Sequence, residues 1–206
     1  LEDELSMAAR LHVSRPTARQ ALQRLVDRGF LTRRRGVGTI VSPRHVHRPM
    51  ELSSLMRDLV EAGHKVHTTI QRYEARPASA QEADTLGVDE GTLIVHIERT
   101  RFANDEPIAV LTNSIPSDIA PSMQELESGS LYDLMRERGV TLASARQVIG
   151  ARSATTKEAK LLSEHRGAAL LTTQRTTYDP SGRIVEYGDH IYRASRYSFE
   201  ANLFAQ

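Results

Sequence analysis

The sequence predicts an α+β protein in two unequal parts, a small N-terminal winged helix-turn-helix and a larger domain of antiparallel sheet with helices. Three observations predict it. A polar-faced helix runs into a glycine-hinged, arginine-rich hairpin between Val13 and Val41. Charge divides along the chain, with 10 Lys+Arg against 4 Asp+Glu in residues 1–49 and a net of −5 in the remainder, which a total of +1 conceals. Beyond residue 50, helical stripes alternate with paired alternating runs, the pattern of helices packed on an antiparallel sheet.

In the first part Ser14 is placed to cap a helix, and Pro16 falls in its first turn, where a missing N–H costs nothing. Ala18, Ala21, Leu22, Leu25 and Val26 recur at spacings of three and four and form the expected buried face. Arg15, Thr17, Arg19, Gln20 and Arg24 are left outside it. Gly29 ends the helix, Phe30-Leu31-Thr32 starts a strand, Gly36 to Gly38 turns it, and Thr39-Ile40-Val41 returns. Arg33, Arg34 and Arg35 crowd the tip, where they suit phosphate or minor-groove contact, while the helix suits a major groove. An arginine face or a glycine hairpin alone is ordinary surface; the two in this order point to double-stranded DNA.

Composition bounds the rest. At 206 residues and 39% hydrophobic the chain can bury two cores. It has no apolar run of membrane-spanning length, and Leu1 opens directly into Glu2-Asp3-Glu4 without a signal peptide. Zero cysteines exclude disulfides and thiolate chemistry and fit a cytoplasmic location. Two prolines and no periodicity in Ser42 to Pro49 read as an extended linker, giving expected boundaries of 1–42, 43–50 and 51–206.

In the second part, Leu52, Leu55, Met56, Leu59 and Val60 make a helical stripe closed by Gly63, with Ser53 or Ser54 as cap. His64 to Tyr73 reads as a strand and Ala80 to Leu86 as a helix ending at Gly87. Leu93 to Phe102 and Ile108 to Ile115 form a hairpin around Asn104-Asp105. A helix follows Gly129-Ser130 and ends at Gly139. Thr141 to Ser153 is a strand, Thr155 caps Lys157 to Leu162, and Ala168 to Tyr178 pairs with Ile184 to Tyr192 across Asp179-Pro180-Ser181-Gly182.

Ser14-Arg15-Pro16-Thr17-Ala18-Arg19 and Arg34-Arg35-Gly36-Val37-Gly38-Thr39 resemble the recognition helix and wing of the GntR family of bacterial regulators. The resemblance implies DNA contacts from Ser14, Arg15, Thr17, Arg19, Gln20, Arg33, Arg34, Arg35, Gly36, Gly38 and Thr39. It also implies a further helix before Glu2, so that the natural protein is expected to be longer. Leu5 departs from the pattern, standing where relatives carry a phosphate-touching arginine.

Arg99 to Pro107, Ser130 to Asp133, Ala154 to Ala159 and Arg193 to Phe199 resemble the UTRA ligand-sensing domain of the HutC branch, which has a chorismate-lyase-like fold. By this resemblance Arg99 and Arg101, which share a strand face, line an effector pocket with Ser130. Glu186 and Tyr192 match positions that hold a ligand hydroxyl and close the pocket. Leu111 replaces a glutamate of the amino-sugar-phosphate-sensing members. Their arginine near Ser144 is missing, with Arg146 its nearest substitute.

The resemblance therefore implies a transcription regulator, most often a repressor, whose partners are operator DNA, a small anionic effector (a sugar phosphate or an organic acid) and a second copy of the chain. No cofactor, metal or catalytic residue is expected. His45-Val46-His47 and His64-Lys65-Val66-His67 have metal-ligand spacing but no nearby carboxylate or Cys to complete a set, and no Gly-x-Ser-x-Gly elbow marks a nucleophile. The alternative is a lyase-like enzyme or metabolite-binding protein with an incidental basic N-terminus; binding of duplex DNA separates the two.

Overall fold

The computed structural model describes residues 1–27, 31–34, 38–41, 46–49 and 52–200. The chain divides into two compact units, Leu1–His47 and Arg48–Gln206.

In the first unit, α1 (Glu4–Arg10) starts where the Asp3 carboxylate accepts from the Leu5 and Ser6 amides at 2.9 and 3.0 Å. α2 (Arg15–Asp27) begins after Ser14, whose hydroxyl oxygen accepts from the Thr17 amide at 3.3 Å, with Pro16 inside the first turn as expected. Strands β1 (Leu31–Arg34) and β2 (Gly38–Val41) pair antiparallel, Arg33 opposite Thr39 and Arg34 opposite Gly38. Gly38 has φ +93°, a conformation that favours glycine at the base of this turn.

The expected apolar stripe of α2 is only half used. Ala18 and Leu22 are buried, but Ala21 and Leu25 are exposed, because the described elements in contact with α2, α1 and β1, cover only the first pair. Gly29, Phe30, Arg35, Gly36 and Val37 lie outside the described residues.

The second unit is a six-stranded antiparallel sheet with helices on both faces. Its elements are α3 (Leu55–Glu61), β4 (Val66–Pro77), α4 (Ala80–Leu86), β5 (Leu93–Ala103), β6 (Glu106–Pro116), α5 (Met123–Ser128), α6 (Leu131–Glu137), β7 (Ser144–Ser153), α7 (Thr156–Leu161), β8 (Ala169–Tyr178) and β9 (Ile184–Arg193). Strand order is β4-β5-β6-β9-β8-β7. A separate two-stranded ribbon joins β10 (Tyr197–Glu200) to β3 (Val46–Pro49), so part of the expected linker is a strand. Residues 42–45 lie outside the described residues.

On one sheet face Val95, Ile97, Ile115 and Val185 pack with Leu126 of α5 and Leu131, Tyr132 and Met135 of α6. On the other, α7 closes over Val110, Leu170 and Ile191 through Ala159 and Leu162. Beside it, α4 closes over Ile94 through Ala83 and Leu86. The turn at Asn104-Asp105 has both residues at positive φ, 51° and 65°, the two-residue hairpin geometry that Asn and Asp tolerate.

The strand order is its own mirror when β4, β5 and β6 exchange with β7, β8 and β9, and the chain repeats itself accordingly at an offset of 76 residues. Arg76 and Arg152 each fork onto the first-turn glutamate of the next helix, Glu82 and Glu158, at 2.6 and 2.8 Å in both copies. Ser79 and Thr155 each close a capping box with that glutamate. Ala78 and Ala154 donate to the carbonyls of Thr92 and Ala168, and Gly91 and Gly167 return the bond. The unit is thus two copies of one strand-helix-hairpin motif about a pseudo-dyad between β6 and β9.

Candidate functional site

A narrow cavity opens on the α6 side of the sheet, near this pseudo-dyad. Its floor is made by side chains that alternate onto one face of β5, β6, β9 and β8: Arg99 and Arg101, Leu111 and Asn113, Glu186, His190 and Tyr192, and Arg175. The roof is Ser53 to Met56 at the start of α3 and Leu131 and Tyr132 of α6.

Arg99 and Arg101 are each only 2% exposed. Arg99 Nη2 donates to Asn113 Oδ1 at 2.8 Å, yet its Nε and Nη1, and the Nε and Nη1 of Arg101, have no acceptor. Burial pushes the Arg99 guanidinium down to about 10. Burial and then the neighbouring Arg99 push Arg101 down to about 9. Two buried cations with unmet donors side by side make a site short of negative charge.

Glu186 is fully buried and its charge acts on Arg99, but its oxygens bond to other side chains. Its Oε1 accepts from Asn113 Nδ2 at 2.5 Å, and its Oε2 from Thr177 at 2.8 Å and the Tyr132 hydroxyl at 3.2 Å. Burial raises its pKa despite these donors and the Arg175 charge. Asn113 Nδ2 also reaches His190 Nε2 at 3.2 Å, which leaves His190 Nδ1 to donate to the Tyr192 hydroxyl at 3.3 Å. Tyr192 is buried and stacked on Tyr197 at 4.3 Å. Arg175 is fixed by Gln147, which accepts from its Nε at 2.7 Å, and by the Tyr132 hydroxyl at 3.3 Å.

Gly188 lets this cluster close. A Cβ there would lie 2.5 Å from His190 Nε2 and 2.6 Å from Glu186 Oε1. It sits opposite both Asn113 and Arg175 in the sheet.

On the other unit, Arg15, Thr17, Arg19 and Gln20 form an exposed polar face of α2, and Ser14 is also exposed. Arg33 and Arg34 lie on β1, Gly38 and Thr39 on β2.

The family model for UTRA domains matches residues 61–198, and that for bacterial regulatory proteins of the gntR family matches residues 2–41. The chain belongs to the GntR family of transcriptional regulators, in its UTRA-bearing branch. It is similar to the HTH-type transcriptional repressor NagR of Bacillus subtilis, at 33% identity over 97% of this chain and 83% of that one. The crystal structure of PhnF from Mycobacterium smegmatis superposes with a TM-score of 0.90 at 25% identity, covering 100% of this chain and 92% of that one. A structure of a proposed transcriptional regulator from Streptomyces coelicolor shares 46% identity, with a TM-score of 0.64, over 69% of this chain and 96% of that one.

This GntR regulator is therefore a DNA-binding transcription regulator controlled by a small molecule, with an N-terminal helix-turn-helix unit and an α+β UTRA domain. The expected pocket residues Arg99, Arg101, Glu186 and Tyr192 meet in one cavity. Ser130 does not line it. Its hydroxyl donates to Ser54 Oγ at 2.7 Å, a residue of the cavity roof, and caps α6 at the Asp133 amide. Arg146 is exposed on edge strand β7 and is no substitute for the missing arginine. Arg175 on β8 lines the cavity and was missed in the sequence, although it is the repeat counterpart of Arg99. Asn113 and His190 were missed too.

The histidine pairs are otherwise occupied where described. His64 accepts from Asn104 Nδ2 at 2.9 Å and His67 stacks on Phe102 at 4.4 Å. Among the described residues no group of three His, Asp or Glu is placed to hold a metal, and no helix is long and apolar enough to cross a membrane.

Proposed function

We propose that this regulator is a cytoplasmic repressor that binds its operator as a symmetric dimer and is controlled by an anionic metabolite held by Arg99 and Arg101. The observation that carries the effector chemistry is the set of four buried guanidinium nitrogens without acceptors, two on each arginine. A phosphate or carboxylate meets forked donors of this kind with charge-assisted bonds. Glu186 and Tyr192 hold the far wall, and Ser130 steadies the roof through Ser54. In this reading the chain acts by binding and not turnover: Glu186 and His190 of the cavity are both spent on hydrogen bonds to neighbouring side chains.

For DNA, the reading assigns base and phosphate contacts to Ser14, Arg15, Thr17, Arg19 and Gln20 of the helix, and backbone contacts to Arg33, Arg34, Arg35, Gly36, Gly38 and Thr39 of the wing. Two copies give two half-sites, because one such helix reads few base pairs. The functional boundary is taken at residues 43–50, between domains 1–42 and 51–206.

The test is selection of a binding site from random duplexes, followed by anisotropy titration with and without the ligand that co-purifies, identified by mass spectrometry. A palindromic site released by an anionic ligand is expected. Turnover of that ligand without any DNA binding would support the enzyme alternative instead.

A further inference from the structure

Arg101 and Tyr192, both of which line the cavity, lie in one row across the sheet. Ala109 of β6 is in register with Arg101 on β5 and with Tyr192 on β9, and residues in register share a face. Two inter-strand steps, roughly 9–10 Å, separate the outer two backbones. Ala109 is buried and puts only a methyl group into the row, so the long side chains on either side face each other over it. An anion taken up by the unmet donors of Arg101, its Nε and Nη1, therefore sits next to the Tyr192 ring.

That ring continues into an aromatic cluster. Tyr192 stacks on Tyr197, with centroids 4.3 Å apart and planes 16° from parallel, and meets Phe199 edge-on at 5.6 Å. Phe199 meets Tyr197 edge-on at 5.2 Å, and both tyrosines are fully buried. Tyr197 and Phe199 are two apart on β10, so both belong to the face turned towards Tyr192. The turn that leads into β10 is fixed: Arg193 donates to Glu164 and to the Pro107 carbonyl, each at 3.0 Å, the Ser195 hydroxyl donates to Glu164 at 2.6 Å, and Arg196 pairs with Glu106 at 2.9 Å. A strand anchored at its start and packed along one face takes its direction from the rings on that face. Its strand partner is β3, and the division between the two units falls inside β3, after His47.

We infer that Tyr192, Tyr197 and Phe199 form a relay through which an anion on Arg101 alters the pairing of β10 with β3, the strand that carries the chain in from the DNA-binding unit. Tyr192 senses the ligand; Tyr197 and Phe199 are positioning residues, required for the response and not for uptake of the anion. This rests on the assignment of the cavity as the effector site, and adds the route by which its occupancy leaves it. Close-packed rings pass a displacement on because none of them can shift alone.

Hydrogen exchange of the full chain with and without inorganic phosphate, followed at the amides of β3 and β10, tests this, with phosphate affinity measured by calorimetry. The proteins compared are wild type, Arg101→Gln, Tyr197→Phe, Tyr197→Leu and Phe199→Leu. In wild type, phosphate should slow exchange of both strands by about threefold or more. Tyr197→Phe keeps the stack and should keep that slowing. Tyr197→Leu and Phe199→Leu keep apolar bulk but lose ring contacts; they should lose the slowing while binding phosphate within about threefold of wild type. Arg101→Gln should lose phosphate binding and the slowing together. A purely structural role for the rings would instead speed exchange equally with and without phosphate, so the ratio of the two rates is what decides. If Tyr197→Leu does not fold, Phe199→Leu carries the test, because its ring is only half-buried. The relay is overturned if phosphate binds wild type through Arg101 with no change at either strand, or if the slowing survives in the leucine variants that fold. Failure of phosphate to bind wild type would overturn the anion site itself, and the relay with it.

Discussion

Arg99 and Arg175 stand at equivalent positions in the two halves of one sheet and reach the same cavity from opposite sides. The pseudo-dyad also exchanges Leu111 with Gly188 and Asn113 with His190, which is why Leu111 faces His190 across β6 and β9 while Asn113 faces Gly188. The halves differ where a ligand needs them to. Arg101 in the first half corresponds to Thr177 in the second, and Thr177 serves to hold Glu186.

Gly188 is the first point at which this arrangement can be broken. Gly188→Ala would place a methyl group 2.5 Å from His190 Nε2 and 2.6 Å from Glu186 Oε1, both pinned by Asn113. The side chains must part, and overpacking of this kind costs about 1–3 kcal/mol. Urea titration should show that loss, and effector affinity should fall with it. Unchanged stability together with unchanged effector affinity would mean the cluster is looser than its contacts indicate.

Much of the second domain is legible in the sequence because its signals are local. Asn104-Asp105 fixes a hairpin, Gly87 stops α4, and Thr155 with Glu158 starts α7. Helix α5 escaped a reading based on apolar stripes because it buries only Leu126, although Ser122 and Glu125 form a capping box that can be read directly. Arg175 escaped for another reason. Alternation fixes which residues of a strand share a face, but not which face meets the cavity. The signal that could have found it is the repeat: Arg76, Ser79, Glu82 and Arg99 recur as Arg152, Thr155, Glu158 and Arg175. The strand β3 within the expected linker depends on pairing with β10, a contact distant in sequence that no local pattern encodes.

The recognition helix gives a second prediction. Arg15 and Arg19 are exposed on α2, four residues apart and therefore on one face. Arg19→Ala should weaken binding to the selected operator by ~1–3 kcal/mol if the guanidinium reads a base, with less effect on random duplex. A wing change such as Arg33→Ala should act evenly on both and flatten the salt dependence. Anisotropy at several salt concentrations separates these outcomes. Equal affinity of wild type and the Arg15→Ala, Arg19→Ala double variant would remove α2 from the interface.

The twin Arg–Glu forks set an acid limit on stability. Glu82 is held down to about 2, first by the hydrogen bond from Arg76, and Glu158 to about 2, first by that from Arg152, against an ordinary 4.5. A carboxylate with a lowered folded pKa contributes stability above its unfolded value and loses it as protons bind. The contribution is therefore complete above about pH 4.5 and fades towards pH 2. Glutamine at either position keeps the capping box but removes the charge. Glu82→Gln with Glu158→Gln should cost roughly 1–2 kcal/mol at pH 7, allowing for solvent screening, and flatten the acid dependence in that window. Parallel urea curves at pH 7 and pH 3 with no difference between the proteins would show that the forks contribute nothing.

The last prediction concerns control. A ligand changes operator affinity only if it binds one arrangement of the protein better than another, and the effect must then be reciprocal. Ser53 to Met56, at the start of α3, both line the cavity and follow closely on the segment that leads from the DNA-binding unit. A bound anion at Arg101 therefore shares a cavity with Ser53 to Met56, the residues that follow this segment in the chain. Arg101→Ala should abolish the response to effector and leave operator binding of the unliganded protein within about twofold, since Arg101 lies in the other unit. Operator DNA should in turn weaken effector binding to wild type by the factor by which effector weakens DNA binding. Release of DNA from the Arg101→Ala protein at the wild-type effector concentration would refute the pocket; loss of DNA binding without any ligand would refute the independence of the units.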